Sequence, residues 1–379
     1  MDWQSTVLCV SPGSINSGGI LDASLEKLYC HHFHRVQVNS PEQSFAFRAL
    51  ARLFPGFEAN AWVKPAVRLS RKLLRGENFL ALISFAQPWS DHLIGLKLHR
   101  LTGLPWLAHF SDPWVDNPYL RGTARQRRVW RNMEKASIRE ADGVVFVNSQ
   151  TAELVMQKYP AEWKKKVHVI PHGYDPDMLA GLPARPQDSR RRLRLVYTGN
   201  FYQNRTPEGL LAALQLLNQT HPLVDLLEVV LIGQNAEAYQ SRASQIGVGD
   251  LVQTSGPRSF VESMQEASEA DVLMVIDAPS PAPNLFLPSK LVDYLVFKKP
   301  ILGLTPERGA AADLLCRLGC PVAPPDDVAK IAKIISGMLQ SWQAGTLGVS
   351  PVFASVADEY NIRQTVRGLD GILRKIISR

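Results

Sequence analysis

Short apolar, β-branched runs alternate with helix-length amphipathic segments along all 379 residues, the pattern of parallel strands joined by helical crossovers. The spacing predicts strands over residues 7–11, 33–38, 81–84, 106–110, 143–147 and 167–170. Residues 173–192, GYDPDMLAGLPARPQDSRRR, interrupt the alternation; rich in Pro, Gly and charge, they read as a connection between domains. A second series follows, over 193–198, 227–232, 252–255, 272–276, 300–303 and a short run near Val322. The pattern predicts an α/β chain of two doubly wound parallel sheets, with a first domain over 1–178 and a second over 190–353. The last segment, 354–379, has helical spacing at Val356, Tyr360, Ile362, Val366, Leu369, Ile372 and Leu373, and either caps the second domain or crosses back onto the first.

Composition narrows the class. At 45% hydrophobic and 20% charged, the chain excludes disorder and a small disulfide-stapled fold. No basic start with an apolar run and cleavage site is visible, and no stretch of about 18 apolar residues spans a bilayer, so the expected location is cytoplasmic. Cys9, Cys30, Cys316 and Cys320 form no CxxC pair, although Cys316 and Cys320 are spaced for one helical face. Cys9 reads as an inert core thiol, and His31, His32 and His34 beside Cys30 lack a second ligand cluster for a metal.

The net charge of +7 is clustered in residues 64–75, 121–139 and 190–194. The first run sets Lys64, Arg68, Arg71, Lys72 and Arg75 among Trp62, Val63, Val67, Leu69, Leu73 and Leu74. That is either a basic amphipathic helix over 61–75 for an anionic membrane surface or a solvated helix packed on its own domain. Nucleic acid is not an expected partner, because aromatic stacking residues do not interleave the basic runs.

In open α/β sheets, ligands sit beyond the carboxyl ends of the strands, where helix N-termini point their amides outward. After the strand ending YTG, Thr206 is a plausible N-cap with Pro207 at the first helical position, which sets Arg205 at a positive helix end able to hold a phosphate. In NLFLPSKLVDYL, a helix opens at Pro288 and Ser289; Lys290 in its first turn is electrostatically misplaced for the helix alone and calls for a nearby anion. The plainer readings are a solvated turn arginine and a weak surface pair of Lys290 with Asp293. After the strand WLAHF, Asp112 is a candidate contact to a bound ligand and His109 a further one if that strand ends early; otherwise Asp112 caps a turn and His109 fills the core. Gly13, Gly18 and Gly19 in SPGSINSGG would let backbone amides approach a ligand.

The ordered set IPHGYDP, VYTGN followed by Arg205, VLIG, SGPRSF, EADVLMV and PSKLVDYL followed by KKPIL resembles the C-terminal half of retaining family 4 glycosyltransferases of GT-B fold, in a subgroup with a PSKL-type sequence. FAQPWSDHLIGLKLHRLTGLPWLAHFSDPW and GVVFVNS carry the resemblance into the N-terminal half. The resemblance implies two Rossmann-like domains facing across a cleft, an acceptor-side first domain and a nucleotide-sugar-binding second one. Arg205 and Lys290 would hold the donor diphosphate and steady the departing nucleotide, and Asp293 would bond the donor ribose. The donor-binding set would be Gly18, Gly19, Gly199, Asn200, Arg205, Arg258, Lys290 and Asp293, with Asp112, His109, Arg205 and Lys290 as candidate catalytic residues. Leu285 stands where relatives place a carboxylate eight residues before Asp293, and Asn200 where many place Arg. No DxD-like pair is well placed, so no metal cofactor is expected. The expected function is sugar transfer from a nucleoside-diphosphate donor to a glycan or lipid-linked acceptor hydroxyl. The alternatives are a nucleotide-sugar epimerase of the same fold and a binding subunit without turnover.

Overall fold

The structure is a computed structural model and describes residues 3–11, 22–25, 33–39, 62–118, 120–179 and 192–378. The chain forms two compact units, Met1–Pro171 with Val366–Arg379, and His172–Thr365.

In the first unit, β1 (Thr6–Val10) and β2 (His34–Val38) pair in parallel, with Thr6 opposite His34 and Val10 opposite Val38. Helix α1 (Val63–Gly76) leads to β3 (Leu82–Ala86), α2 (Ser90–Thr102), β4 (Trp106–Phe110), α3 (Ala124–Glu140), β5 (Gly143–Phe146), α4 (Ser149–Met156) and β6 (Val167–Val169). Strands β3 to β6 form a parallel sheet in sequence order. Among the described residues this unit therefore holds two parallel sheets rather than the single one expected. Local chemistry marks the boundaries: Gly103 ends α2 at φ 72, Thr123 and Gln126 make a reciprocal capping box on α3, and the Asn148 side chain caps α4. Alternate β4 residues face opposite ways: Trp106, Ala108 and Phe110 enter a core with Leu93, Ile94, Trp114 and Ile138, whereas Leu107 packs with Val145, Ile372, Leu373 and Ile376.

The second unit runs β7 (Leu193–Thr198), α5 (Glu208–Thr220), β8 (Leu227–Ile232), α6 (Ala238–Gln245), β9 (Val252–Ser255), α7 (Phe260–Glu269), β10 (Val272–Ile276), α8 (Ser289–Tyr294), β11 (Ile301–Leu304), α9 (Ala310–Arg317), β12 (Val322–Ala323) and α10 (Val328–Gln343). Its parallel sheet has the order β12-β11-β10-β7-β8-β9, doubly wound, with the order reversing between β7 and β10. Leu193, Leu195 and Tyr197 of β7 join a core with Leu210, Leu214 and Ile335 on one face; Val196 joins Leu273, Met264, Leu291 and Leu314 on the other.

Residues 172–179 already belong to the second unit rather than to a connection: Tyr174 is buried in its core, donates its backbone N–H to Tyr360 O at 2.8 Å, and accepts from Ile362 N at 2.9 Å. The same pairing separates α11 (Phe353–Asp358) from α12 (Ile362–Ile377), where one continuous helical segment was expected. From Val366 onward α12 groups with the first unit, where Trp3 Nε1 donates to Asp370 at 2.6 Å. Cys316 is exposed on α9, but Cys320 lies beyond Gly319 and is buried, so the two do not share a helical face.

Helix α1 settles one alternative from its own packing. Val63, Ala66 and Ser70 are buried, Val67, Leu69 and Leu74 pack on the core of the first unit, and Trp62 Nε1 donates to Ser90 Oγ at 2.8 Å. The apolar face is thus consumed within the unit and is not available to enter a bilayer; Lys64, Arg68, Arg71, Lys72 and Arg75 stay exposed, and none of them forms an ion pair with another of the described residues. Among the described residues no helix is long and apolar enough to cross a membrane.

Candidate active site at the sheet reversal of the second unit

The polar residues directly after β7 and β10 border the point where the sheet order reverses, the place where ligands bind in open α/β sheets. After β7 the chain makes a tight turn in which Gln203 takes a left-handed conformation (φ 51) and Arg205 N donates to Tyr202 O at 3.0 Å. Helix α5 starts at Glu208 with Pro207 before it and no side-chain cap, so Thr206 is not the N-cap that was expected. The turn aims Arg205 back at the strand ends. Its Nη2 donates to Asp277 Oδ1 at 2.9 Å, its guanidinium lies 4.8 Å from the centre of the Tyr202 ring, and its Nε is buried without a partner.

Asp277 is the first residue after β10. It is 1% exposed, and its Oδ2 accepts from Thr305 Oγ1 at 3.0 Å and Asn284 Nδ2 at 3.2 Å. Burial pushes this carboxyl up; the Arg205 charge is the strongest opposing influence, followed by Thr305, Lys290 and Asn284.

Lys290 enters from the first turn of α8. Its Nζ donates to the Tyr197 hydroxyl at 3.1 Å and lies 4.4 Å from the centre of that ring. Burial, and after it the Arg205 charge, brings the ammonium down to about 7, with Asp277 acting the other way. The Arg205 charge thus acts on both Asp277, which it holds down against burial, and Lys290, whose ammonium it helps to lower. Gly199 gives Lys290 its space: a methyl there would press on Nζ and come within 2.8 Å of Cε and 2.9 Å of the Tyr197 hydroxyl. Gly233, at φ 140, lets the chain after β8 pass against the Gly199 carbonyl.

Asp293 follows on α8, half-buried, with burial pushing its carboxyl up to about 6. It forms no ion pair with Lys290. Asn200 spends its side-chain oxygen on Gln234 N at 2.9 Å, bracing the loop after β7 against the loop after β8. Arg258 does not join the group. It is ion-paired to Glu266, which also accepts from Arg194 at 2.6 Å, because the capping box of Ser259 and Glu262 starts α7 there and carries Glu266 to meet it. Tyr197, Asp277 and Asn284 escaped the sequence reading. Asp277 carried a usable signal, as a polar residue at a strand's carboxyl end; Tyr197 looked like ordinary strand core.

In the first unit, Asp112 accepts from Gln87 Nε2 at 3.2 Å, and burial pushes its carboxyl up. β4 continues through Phe110, so His109 lies inside the strand, buried, with its ring 4.9 Å from that of Phe85. The loop after Asp112 is anchored: Trp114 stacks on Trp89 at 5.2 Å, Val115 N donates to Glu134 Oε2 at 2.9 Å, and buried Glu134 also accepts from Lys158 at 2.6 Å and Tyr159 OH at 2.6 Å. Gly13, Gly18, Gly19, Cys30, His31 and His32 lie outside the described residues. Among the described residues no three His, Cys, Asp or Glu side chains gather as a group suited to a metal ion.

Residues 25–178 match the model of Glycosyltransferase Family 4. Solved structures with the same fold include Anabaena HepE in complex with UDP, at 16% identity and TM-score 0.62, covering 98% of this chain and 100% of that one. Sucrose-phosphate synthase from Thermosynechococcus elongatus superposes at 14% identity and TM-score 0.66, over 99% and 100% of the two chains. A glycosyltransferase from Rickettsia africae does so at 13% identity and TM-score 0.64, over 99% of each. No curated protein matches the sequence. The fold and the matched domain define the class, an enzyme of the glycosyltransferase type with the GT-B fold of two Rossmann-like domains.

Proposed function

We propose that the protein transfers a sugar from a nucleoside-diphosphate donor to an acceptor hydroxyl, with retention at the anomeric carbon and without a divalent ion, in making a polysaccharide or lipid-linked glycan. The observation that carries this reading is the convergence of Arg205 and Lys290 on Asp277 and Tyr197 at the sheet reversal. As the bond from the anomeric carbon to the diphosphate breaks, the electron pair passes to phosphate oxygen. A fixed guanidinium and an ammonium steady that charge most where water is excluded. The acceptor oxygen then bonds to the anomeric carbon on the same face, and its proton leaves to the departing phosphate. Asp293 suits the donor ribose, and Asp112 a hydroxyl of the donor sugar or acceptor.

The test is a thermal-shift screen of UDP, ADP and GDP on the wild type, Arg205→Gln and Lys290→Met. A diphosphate at about 100 times its Kd stabilises by about 2.7 kcal/mol. The expected result is a shift with at least one diphosphate that shrinks in both variants; equal shifts in all three proteins would remove the reading. A binding subunit without turnover, suggested by Leu285 at the acid's place, predicts the same shifts but no sugar transfer or donor hydrolysis. The exposed cations of α1 support a purely electrostatic contact with an anionic membrane surface at its cytoplasmic side, each worth about 1 kcal/mol. Replacing Arg68, Arg71 and Lys72 by Gln should then weaken binding to vesicles containing phosphatidylserine by about 100-fold. Unchanged vesicle binding would refute the contact.

A further inference from the structure

The site contains a carboxylate that a diphosphate would repel, placed among the groups proposed to hold that diphosphate. A buried ion pair is weak evidence for stability, since desolvation offsets much of the attraction. Four features explain Asp277 better as a fixture than as a stabiliser. It is 1% exposed, and its backbone N–H donates to Leu304 O at 2.8 Å, so the group itself cannot swing. Both carboxylate oxygens are occupied, Oδ1 by Arg205 and Oδ2 by Thr305 and Asn284. Only one guanidinium nitrogen, Nη2, is spent on Asp277, while Nε is buried with no partner, so the rigid fork keeps donors for a second anion. Finally, Asn284 is itself locked. Its N–H donates to Arg308 O at 3.1 Å, its carbonyl accepts from Ala310 N at 2.8 Å, and Gly309, at φ 128, leaves no space for a side chain beside it. Asp277 thereby joins the loop after β7, the chain between β10 and α8 that leads to Lys290, and the carboxyl end of β11.

We propose that Asp277 is the positioning residue of the donor site, orienting the Arg205 guanidinium toward the diphosphate. The proposal rests on the donor-site reading above. A long arginine held in advance loses little conformational freedom when its ligand arrives, and small misplacements of such a group are felt strongly.

The experiment is a double-mutant cycle on nucleoside-diphosphate affinity by calorimetry, using UDP, ADP or GDP, whichever binds the wild type. It compares Asp277→Asn, Arg205→Gln and the double variant, with the matching nucleoside monophosphate as reference. The expected loss in Asp277→Asn is about 10- to 100-fold for the diphosphate and much smaller for the monophosphate, and in the Arg205→Gln background the further loss is under about 2-fold. A merely structural role would lower both ligands alike and add to the Arg205 effect; either result overturns the proposal, as does wild-type affinity in a folded Asp277→Asn protein. If Asp277→Asn does not fold, Thr305→Val removes one donor to Oδ2 and should show a smaller loss, equally absent on the Arg205→Gln background; no loss overturns the proposal. Should Arg205→Gln and Lys290→Met bind the diphosphate as the wild type does, the donor-site reading falls first and the inference with it. Loss in those two but none in Asp277→Asn sinks the inference alone.

Discussion

Adding a single methyl group, Gly199→Ala, probes the site without deleting any of its charges. Gly199 is not in the left-handed region, so alanine fits the backbone, and the change limits the unfolded chain by about 0.4–1 kcal/mol in favour of folding. The methyl would collide with Lys290 Nζ and crowd Cε at 2.8 Å and the Tyr197 hydroxyl at 2.9 Å. The ammonium is the end of a flexible side chain, so it gives way, losing a hydrogen bond worth about 1 kcal/mol and a ring contact worth about 0.5–1 kcal/mol. The losses of about 1.5–2 kcal/mol exceed the gain of about 0.4–1 kcal/mol, leaving the folded protein about 0.5–1.6 kcal/mol less stable than wild type. Diphosphate binding has no such offset. Losing one charge-assisted hydrogen bond costs about 1.5–3 kcal/mol, or about 10- to 150-fold in Kd. Calorimetry with the diphosphate, beside a thermal melt, reads both quantities, and Lys290→Met should reproduce the affinity loss with no further loss in the double variant. A folded Gly199→Ala protein with wild-type diphosphate affinity would show that Lys290 does not act from this position.

Other outcomes follow from the charge states. Lys290 has its folded-state value lowered to about 7, below the ordinary lysine range, so between about pH 7 and 10 the unfolded chain binds more protons and stability rises with pH. Urea melts of Lys290→Met should lack that rise, and its stability advantage should be largest near pH 7 and shrink toward pH 10. Asp293, pushed up to about 6, works the other way: its native state binds more protons between about pH 4 and 6, so its cost is fully present at pH 7. Asp293→Asn should melt higher than wild type at pH 7 and bind the nucleotide more weakly; a lower melting point would refute the assignment. Glu134→Gln removes the negative charge and one of the two acceptor oxygens that Lys158, Tyr159 and Val115 N share, and disabling one member of such a buried group costs about 3–5 kcal/mol, measurable in urea with Glu266→Gln as a comparison.

Much of this molecule could be read along the chain. The strands at 106–110, 193–198, 227–232, 252–255 and 272–276 were expected with the bounds observed; in all but 252–255 an apolar run between turn formers reports a backbone buried on both faces. Arg205 and Lys290 were legible for a related reason, standing as charged residues just after strands or at a helix start. What the chain alone could not decide was the destination of each side chain. Asp277 and Arg205 are 72 residues apart, and only the β7–β10 neighbourhood in the sheet makes them partners. Arg258 had the same local credentials as Arg205, yet Glu266 two turns along α7 captures it. The apolar stripe of α1 looked free for a membrane until the first unit's core took it, and α12 could have stayed with the second unit had Leu107 and Val145 not needed covering. Periodicity is a property of neighbouring residues and survives in the sequence, whereas partnership depends on how distant segments are brought together, which the folded sheet alone determines.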